Sequence, residues 1–272
     1  MLPISAVVIT RDEERDIGRT LDALAFADEI VVVDSFSTDR TVDICRARGA
    51  RVLSEPFRGY GPQKRFAVAQ ATHDWVLCID ADEVVDPELA DAVHALLGGE
   101  VAPSCAAYAL SFRTVFMGTP LLHGARETHV RLFDRRRAAW SDARVHERVV
   151  HDGPIGRLPG FVLHESTRDV AETLEKLNRY TSRAAGDLGD RPPRGVASLL
   201  LSGAWHFFRH FVVKRQFLNG VPGFGWSMLF AVGSLVKHLK AYEVAADAEP
   251  LAVPASAEVA AEPAGTGGSA IL

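Results

Sequence analysis

Apolar runs and amphipathic segments alternate over the first hundred residues. Four short runs rich in β-branched residues are typical of buried strands: Ala6–Ile9, Ile30–Val33, Ala50–Leu53 and Trp75–Ile79. Between them, apolar residues recur at helical spacing, as with Ile17, Leu21 and Leu24. Strands that alternate with helices in this way predict right-handed β-α-β units and a mostly parallel sheet of the α/β class.

Polar signals predict where two of the helices begin and end. Thr10 and Glu13 form a capping-box pattern, which predicts that a helix starts directly after the first strand. Asp86, followed by a proline, predicts the start of a later helix, and Gly98-Gly99 predicts its end.

Polar side chains follow three of the predicted strands. Thr10 follows the first strand, Asp34 the second, and Asp80 with Asp82 the fourth. Open α/β sheets bind ligands at the carboxyl ends of their strands. The two aspartates at spacing i, i+2 leave extended backbone on the same side, and such carboxylates repel unless a cation such as Mg²⁺ or Mn²⁺ lies between them. The alternative is an acidic turn that opens the next helix.

No glycine-rich phosphate loop follows the first strand, so neither a dinucleotide fold nor a P-loop is supported. Asp34 would then bind a base or ribose by hydrogen bonding. Phosphate charge would be met by a metal and by Lys64 or Arg65. For these two residues taken alone, a solvated helix face is the favoured interpretation.

Residues 105–165 differ from the first hundred. They contain two predicted strands, Tyr108–Phe116 and His129–Phe133, with clustered arginines around them. Glu147 and the pair His164-Glu165 follow. A histidine next to a glutamate in an arginine-rich segment indicates a possible site but does not define one.

Residues 195–242 contain no Asp or Glu, but they carry five Lys or Arg residues and many aromatic ones. Their longest uncharged stretches, Val196–Phe208 and Gln216–Val236, are too short or too interrupted to span a membrane. The composition is typical of helices that lie in a membrane interface against anionic lipid. The alternatives are a dimer interface and a packed helical subdomain. Residues 245–272, rich in Ala, Pro, Glu and Gly, are predicted to form a disordered tail.

Charge and cysteine content add three expectations. The formal net charge of −5 argues against binding to nucleic acid. Three cysteines without C-x-x-C spacing favour small core residues in a reducing compartment over disulfides. The first residues show no signal-peptide pattern, which predicts a cytoplasmic protein.

Taken in order, the motifs resemble glycosyltransferase family 2, the inverting GT-A enzymes that use nucleotide sugars. The resemblance covers residues 4–165 and rests on VVITRDEERDIGRTLDAL, ADEIVVVDSFSTDRTVDICRARGARV, QKRFAVAQATHDWVLCIDADE and the VHE triplet. It is closest to the branch that adds β-glucose to the lipopolysaccharide inner core. FLNG followed by PGFGW resembles the C-terminal part of that branch more loosely.

The resemblance implies roles for individual residues. They are nucleotide-sugar binding for Thr10, Arg11, Glu14, Asp34, Arg65 and Asp80, metal ligation for Asp82, Asp80 and His164, and general-base catalysis for Glu147. Asp142 is a rival base, because His146 stands where the family more often has an acid before the base. Arg126 and Arg131 are candidates to bind a phosphorylated or acidic acceptor, since guanidinium groups suit such anions, and a solvated surface position is the equally weighted alternative.

The expected function is transfer of a hexose, glucose from UDP-glucose, to a lipid-anchored glycan such as the lipopolysaccharide inner core. The expected cofactor is Mg²⁺ or Mn²⁺, and the expected location is the cytoplasmic face of the inner membrane. One alternative keeps the fold but uses another donor, such as dTDP-rhamnose, in polysaccharide biosynthesis. The other is a non-catalytic, membrane-bound scaffold that binds a sugar nucleotide.

The predicted organisation has four parts. Residues 1–100 form the nucleotide-sugar-binding half, and residues 101–194 form the acceptor-binding and catalytic half. An amphipathic, basic helical segment for the membrane interface spans residues 195–244, and the tail follows at residues 245–272.

Overall fold

The computed structural model describes residues 2–99, 102–124, 126–143, 147–165, 167, 169–186 and 195–247. Twelve strands lie within these residues: β1 Ile4–Thr10, β2 Glu29–Asp34, β3 Arg51–Ser54, β4 Trp75–Asp80, β5 Glu83–Val85, β6 Ala107–Phe116, β7 Thr119–Pro120, β8 Arg126–Asp134, β9 Ala138–Trp140, β10 Val149–His151, β11 Ile155–Arg157 and β12 Val162–His164. The α-helices are α1 Ile17–Ala23, α2 Thr41–Ala47, α3 Tyr60–Gln70, α4 Pro87–Gly98, α5 Val170–Gly186, α6 Val196–Phe208 and α7 Gly220–Asp247.

The main sheet is mixed. Its strand order is β3-β2-β1-β4-β8-β6-β12-β5, and β7 and β11 also pair with β6. Strands β3, β2, β1 and β4 are parallel, whereas β8 runs antiparallel to both β4 and β6. The predicted α/β class is confirmed, and the four strands predicted in the first hundred residues are confirmed. The sheet is parallel over those four strands and again where β11 and β12 pair with β6, and it is antiparallel where β5, β7 and β8 pair.

Alternating side chains of the central strands build a core on each face of the sheet. Ala6 and Val8 of β1 pack into one cluster, together with Leu21 of α1. Val7 of the same strand packs into the other cluster, with Phe133. Because successive residues of a strand point to opposite faces, a strand covered on both sides is apolar throughout. This explains why the strand sequences read as continuous apolar runs.

The two helix-boundary predictions have different outcomes. Asp86 caps α4 as predicted, since its carboxylate accepts a hydrogen bond from Leu89 N at 2.9 Å, and the helix ends at Gly98. The capping box after β1 is wrong, because α1 begins only at Ile17. The Glu13 amide instead donates to Thr41 Oγ1 at 2.7 Å, which ties this loop to the start of α2.

The C-terminal part consists of helices that pack on α5 and on one another. Helix α6 continues through a π-helical turn at Arg209–Val213, so the helical segment is longer than the uncharged stretch Val196–Phe208, which was expected to be too short to span a membrane. By length and composition, Val196–Val213 is one helix that could cross a membrane, with a mean hydropathy of 1.2. The predicted disordered tail lies outside the described residues from position 248 onwards.

Candidate active site

A cleft of about 510 Å³ opens at the carboxyl edge of the parallel strands. The residues that line it include Thr10, Arg11, Tyr60, Asp80, Asp82 and His164. Five of these six were predicted to bind nucleotide sugar or metal. The register of the sheet explains why they meet, since Thr10 pairs with Asp34 across β1 and β2, and Ile9 pairs with Asp80 across β1 and β4.

Two predicted nucleotide-binding residues lie beside the cleft and do not line it. Asp34 is 2% exposed, and its carboxylate accepts hydrogen bonds from the Ser37 amide, at 3.0 Å, and from the Ser37 hydroxyl. The Glu14 carboxylate accepts a hydrogen bond from Arg40 N at 3.1 Å, at the start of α2. In this structure both side chains therefore stabilise the loops that border the cleft.

Asp82 and His164 come together because β5 pairs with β12. His164 lies opposite Glu83 in this antiparallel pair, and Glu165 N donates to Asp82 O at 3.2 Å. The imidazole Nε2 of His164 lies 3.2 Å from Asp82 Oδ2. Burial alone would lower the pKa of His164, but the hydrogen bond to Asp82 together with the negative charges of Asp82, Glu83 and Asp80 raises it. One anionic and one imidazole donor therefore face the cleft side by side.

Asp80 is held between two buried cations. Lys64 Nζ lies 3.1 Å from Oδ1 and 3.3 Å from Oδ2 of Asp80, and Arg131 Nη2 donates to Oδ2 at 3.0 Å. Burial would raise the pKa of Asp80, but the charges of Arg131 and Lys64 outweigh it and hold that pKa below its ordinary value. Asp80 is therefore an anion whose charge is already largely balanced by protein groups.

Arg131 also binds Glu83, and this corrects its predicted role in acceptor binding. The residue is 7% exposed, and its guanidinium donates to Glu83 Oε1 at 3.0 Å. Burial raises the pKa of Glu83 to about 7, although Arg131 opposes that shift. Because Arg131 is buried and paired with two protein carboxylates, it belongs to the interior of the sheet and presents almost no surface to an acceptor.

Lys64 joins the cleft to the predicted base. Its ammonium group donates to Glu147 Oε1 at 3.0 Å as well as to Asp80, and the residue is only 5% exposed. The ammonium lies 4.8 Å from the centre of the Trp140 ring, a cation–π distance. The solvated helix face expected for Lys64 is therefore wrong. Glu83, Arg131, Asp80, Lys64 and Glu147 form one chain of alternating charges, named the ionic chain below.

The neighbouring Arg65 points away from this chain. It forms an ion pair with Asp142, whose side chain is 82% exposed. Arg65 does not line the cleft, because Lys64 occupies the inward side of α3. The position of Arg65 therefore does not support its predicted contact with the diphosphate. The rival base Asp142 is on the outside, while Glu147 is on the ionic chain. The Arg126 side chain and His146 lie outside the described residues.

The sequence-family model named Glycosyl transferase family 2 matches residues 5–144 of this chain. A glycosyltransferase of Rickettsia typhi is 30% identical over 257 residues, which cover 90% of this chain and 88% of that relative. The chain belongs to glycosyltransferase family 2. The resemblance seen in the sequence is thus confirmed, and the Rossmann-like mixed sheet of this glycosyltransferase is a GT-A fold.

A second relative of this glycosyltransferase carries a more specific name. LpsC of Rhizobium meliloti, a lipopolysaccharide core biosynthesis glycosyltransferase, is 30% identical over 256 residues, covering 89% of this chain and 93% of LpsC. Among solved structures, glucosyl-3-phosphoglycerate synthase from Mycobacterium tuberculosis, in complex with Mn²⁺, UDP and glucosyl-3-phosphoglycerate, is 30% identical. That match covers 43% of this chain and 45% of the synthase with a TM-score of 0.33, too low to support an argument.

The donor set of this glycosyltransferase fits a divalent ion that is shared with a substrate. Among the described residues, no three His, Cys, Asp or Glu side chains converge into a complete metal site. Asp82 and His164 supply two adjacent donors, while Asp80 is engaged by Lys64 and Arg131. Mg²⁺ is commonly bound by one or two carboxylates together with phosphate oxygens of the substrate. Asp82 and His164 are therefore the residues placed to hold such an ion.

Proposed function

We propose that this glycosyltransferase transfers a hexose, with glucose from UDP-glucose as the leading donor, to a lipid-anchored glycan of the lipopolysaccharide inner-core type. The observation that carries the proposal is the position of Lys64, which links Asp80 in the nucleotide cleft to Glu147. One ammonium group thereby bridges a carboxylate of the cleft and the candidate base. The name of the relative LpsC supports an acceptor of this class.

The walls of the cleft suit a nucleoside diphosphate. Phe57 and Tyr60, with ring centres 5.2 Å apart, form an aromatic wall on which a base can stack. Thr10 Oγ1 is buried and has no hydrogen-bond partner among the described residues, so a ligand atom would satisfy it. Arg11 lies at the same cleft and supplies positive charge for the diphosphate.

The proposed chemistry is a single displacement that inverts the anomeric carbon. Glu147 accepts the proton of the acceptor hydroxyl while that oxygen attacks from the face opposite the leaving group. Lys64 fixes the Glu147 carboxylate by its hydrogen bond to Oε1. A divalent ion held by Asp82 and His164 would offset the charge of the leaving diphosphate. Proton removal at the acceptor and charge balance at the donor are thus assigned to different residues.

Attachment to the cytoplasmic face of the inner membrane is part of the proposal. Leu201 is 71% exposed and Trp205 is 57% exposed, on the outward face of α6. Contiguous exposed apolar side chains of this kind mark membrane or partner surfaces. Lys214 and Arg215 follow the same helix and would meet anionic lipid.

Calorimetric titration of UDP, with and without Mn²⁺, tests the donor site. We expect Mn²⁺ to strengthen UDP binding, and unchanged binding would contradict the role of Asp82 and His164. A panel of donors with a lipid-linked acceptor, read by product mass spectrometry, tests the substrates. A preference for dTDP-rhamnose would favour the alternative donor, and UDP binding without turnover of any donor would favour a scaffold.

A further inference from the structure

A second cavity, of about 430 Å³, lies between α5 and α7 and reaches His206 of α6. It is distinct from the nucleotide cleft, but the two share one wall residue, because Lys176 of α5 lines both. Cavities of this size accommodate small organic ligands. An elongated ligand could therefore occupy both spaces if it passed Lys176.

The chemistry of the walls is that of a site for an anionic amphiphile. The interior is formed largely by apolar side chains, among them Leu177, Trp226, Leu229 and Phe230. Lys176 and Lys237 add positive charge, and among the described residues no Asp or Glu lines the cavity. Apolar walls with cations and without acids suit a hydrocarbon chain that carries a negative head group.

Specific contacts fix α5 against α7 beside the cavity. Gly233 lets the helices approach closely, since a Cβ there would lie 2.8 Å from Leu177 Cδ1. Further along, Lys240 Nζ donates to Asn178 O at 2.7 Å and to Ser182 Oγ at 2.8 Å. The helices are thus fixed at close contacts next to the cavity, so the cavity belongs to a defined arrangement and not to a loose one.

We propose that this cavity binds the hydrocarbon chain of the lipid-linked acceptor, with the anionic head group passing Lys176 into the nucleotide cleft. The inference rests on the proposed function, because it assigns the lipid part of the acceptor to a named site. It differs from membrane attachment, which uses the outward face of α6 around Leu201 and Trp205. The outward face of α6 would bind the bilayer, and the cavity would bind one hydrocarbon chain.

Trp226 in the cavity and Trp205 on the surface allow a direct test with the full chain. The probe is 12-bromododecyl phosphate, used below its critical micelle concentration, because bromine quenches tryptophan fluorescence only at short range. We expect saturable quenching that is lost in Trp226→Phe and kept in Trp205→Phe. Quenching that is absent, or that is lost only in Trp205→Phe, would overturn the proposal.

A filling substitution tests whether the acceptor uses the cavity. Ala184 lines it, and Ala171 is an exposed position of the same helix, so Ala184→Phe and Ala171→Phe form a matched pair. We expect Ala184→Phe to weaken probe binding about tenfold and to raise KM for the lipid-linked acceptor by a similar factor. Ala171→Phe should change neither.

The readouts separate this inference from the proposed function. UDP binding and transfer to an acceptor without its lipid should be unchanged in Ala184→Phe. If probe binding falls but KM for the lipid-linked acceptor does not, the cavity does not bind the acceptor chain and the inference is wrong. If the unmodified protein transfers no sugar from any donor, the proposed function fails, whatever the probe result.

Discussion

The part of the molecule built on the main sheet, β1 to β12 and named the sheet half below, buries charged side chains, whereas the C-terminal helices α6 and α7 expose apolar ones. At the sheet, Lys64 is 5% exposed and Arg131 is 7% exposed, although both are charged. On α6, by contrast, the apolar Leu201 is 71% exposed. Buried charges are tolerated only when partners within the protein balance them, whereas exposed apolar groups gain free energy from a partner outside it. The charges of the sheet half are thus balanced internally, whereas the helical part leaves an apolar face exposed, for which we propose the membrane as partner.

The largest effect is expected at the end of the ionic chain. Glu147→Gln removes the carboxylate proposed as the base but keeps a hydrogen-bond acceptor for Lys64. We expect kcat to fall by about 10²–10⁴-fold, the usual contribution of general-base catalysis, with UDP affinity retained. Steady-state kinetics and calorimetry measure the two quantities.

Asp142→Asn is the matched control, because Asp142 is exposed and pairs with Arg65 at the surface. Its kcat should stay close to that of the unmodified protein. The reverse pattern, with turnover lost in Asp142→Asn and kept in Glu147→Gln, would make Asp142 the base. In that case the buried carboxylate bound to Lys64 would not be the catalytic one.

The middle of the ionic chain should govern stability. Arg131→Met leaves Asp80 without one of its two cations and Glu83 without its guanidinium partner. Breaking a buried ion pair from one side costs about 3–5 kcal/mol in the free energy of unfolding. Equilibrium unfolding in urea measures the loss.

Arg65→Met provides the comparison for Arg131→Met, since its ion pair with Asp142 lies at the surface. Exposed pairs contribute about 0–1 kcal/mol, so this variant should unfold almost as the unmodified protein does. Equal stabilities for the two methionine variants would mean that the ionic chain does not hold the sheet half together.

The fold of the first hundred residues was predictable because its signals are local. A strand buried on both faces is a continuous apolar run, so β1, β2 and β4 can be recognised from a few residues each. The edge strand β3 is less buried and is recognised from Val52 and Leu53 between two polar residues. The capping-box prediction failed because the Glu13 amide is satisfied by Thr41, far along the chain. A local pattern cannot show that a distant hydroxyl competes for the same amide.

The site was predictable where strands end and not where charges pair over distance. Asp80 and Asp82 stand out because two carboxylates follow an apolar run directly. Lys64 gives no such signal, since its partner Glu147 lies 83 residues further along the chain. Arg131 is similar, with Asp80 lying 51 residues away. Whether a charged residue is buried depends on such partners, and only the folded structure brings them together.

The helical side of the comparison is tested by adding charge to α6. Leu201→Glu combined with Trp205→Glu places two anions on the exposed apolar face. We expect binding to vesicles that contain anionic phospholipid to weaken by about 100-fold, since each buried apolar side chain contributes about 1.5–3 kcal/mol. Vesicle sedimentation measures the binding, and urea unfolding should show unchanged stability.

Glu175→Gln on α5 changes one charge at an exposed site away from that face and serves as the control. It should leave vesicle binding unaltered. If the double variant binds vesicles normally but changes its oligomeric state, the α6 face is an interface between copies of the chain.

The smallest effect is expected at Glu29, a carboxylate of the sheet half away from the cleft. It accepts hydrogen bonds from Ser5 Oγ at 2.6 Å and Thr72 N at 2.7 Å, and from Arg51 Nη2 at 2.8 Å. Burial would raise the pKa of Glu29, but these hydrogen bonds lower it to about 2. Glu29→Gln should cost about 2 kcal/mol at neutral pH, with kcat unchanged.

The sign of the pH dependence follows from the lowered pKa. The unfolded chain binds a proton at Glu29 near its ordinary value of 4.5, before the folded chain does. The stabilisation is therefore complete above that value and is lost as pH falls towards about 2. Urea unfolding at pH 7 and pH 3 should show the difference between Glu29→Gln and the unmodified protein shrinking. A constant difference would mean that Glu29 stabilises the sheet through its shape and not its charge, so that internal charge balance would be confined to the ionic chain.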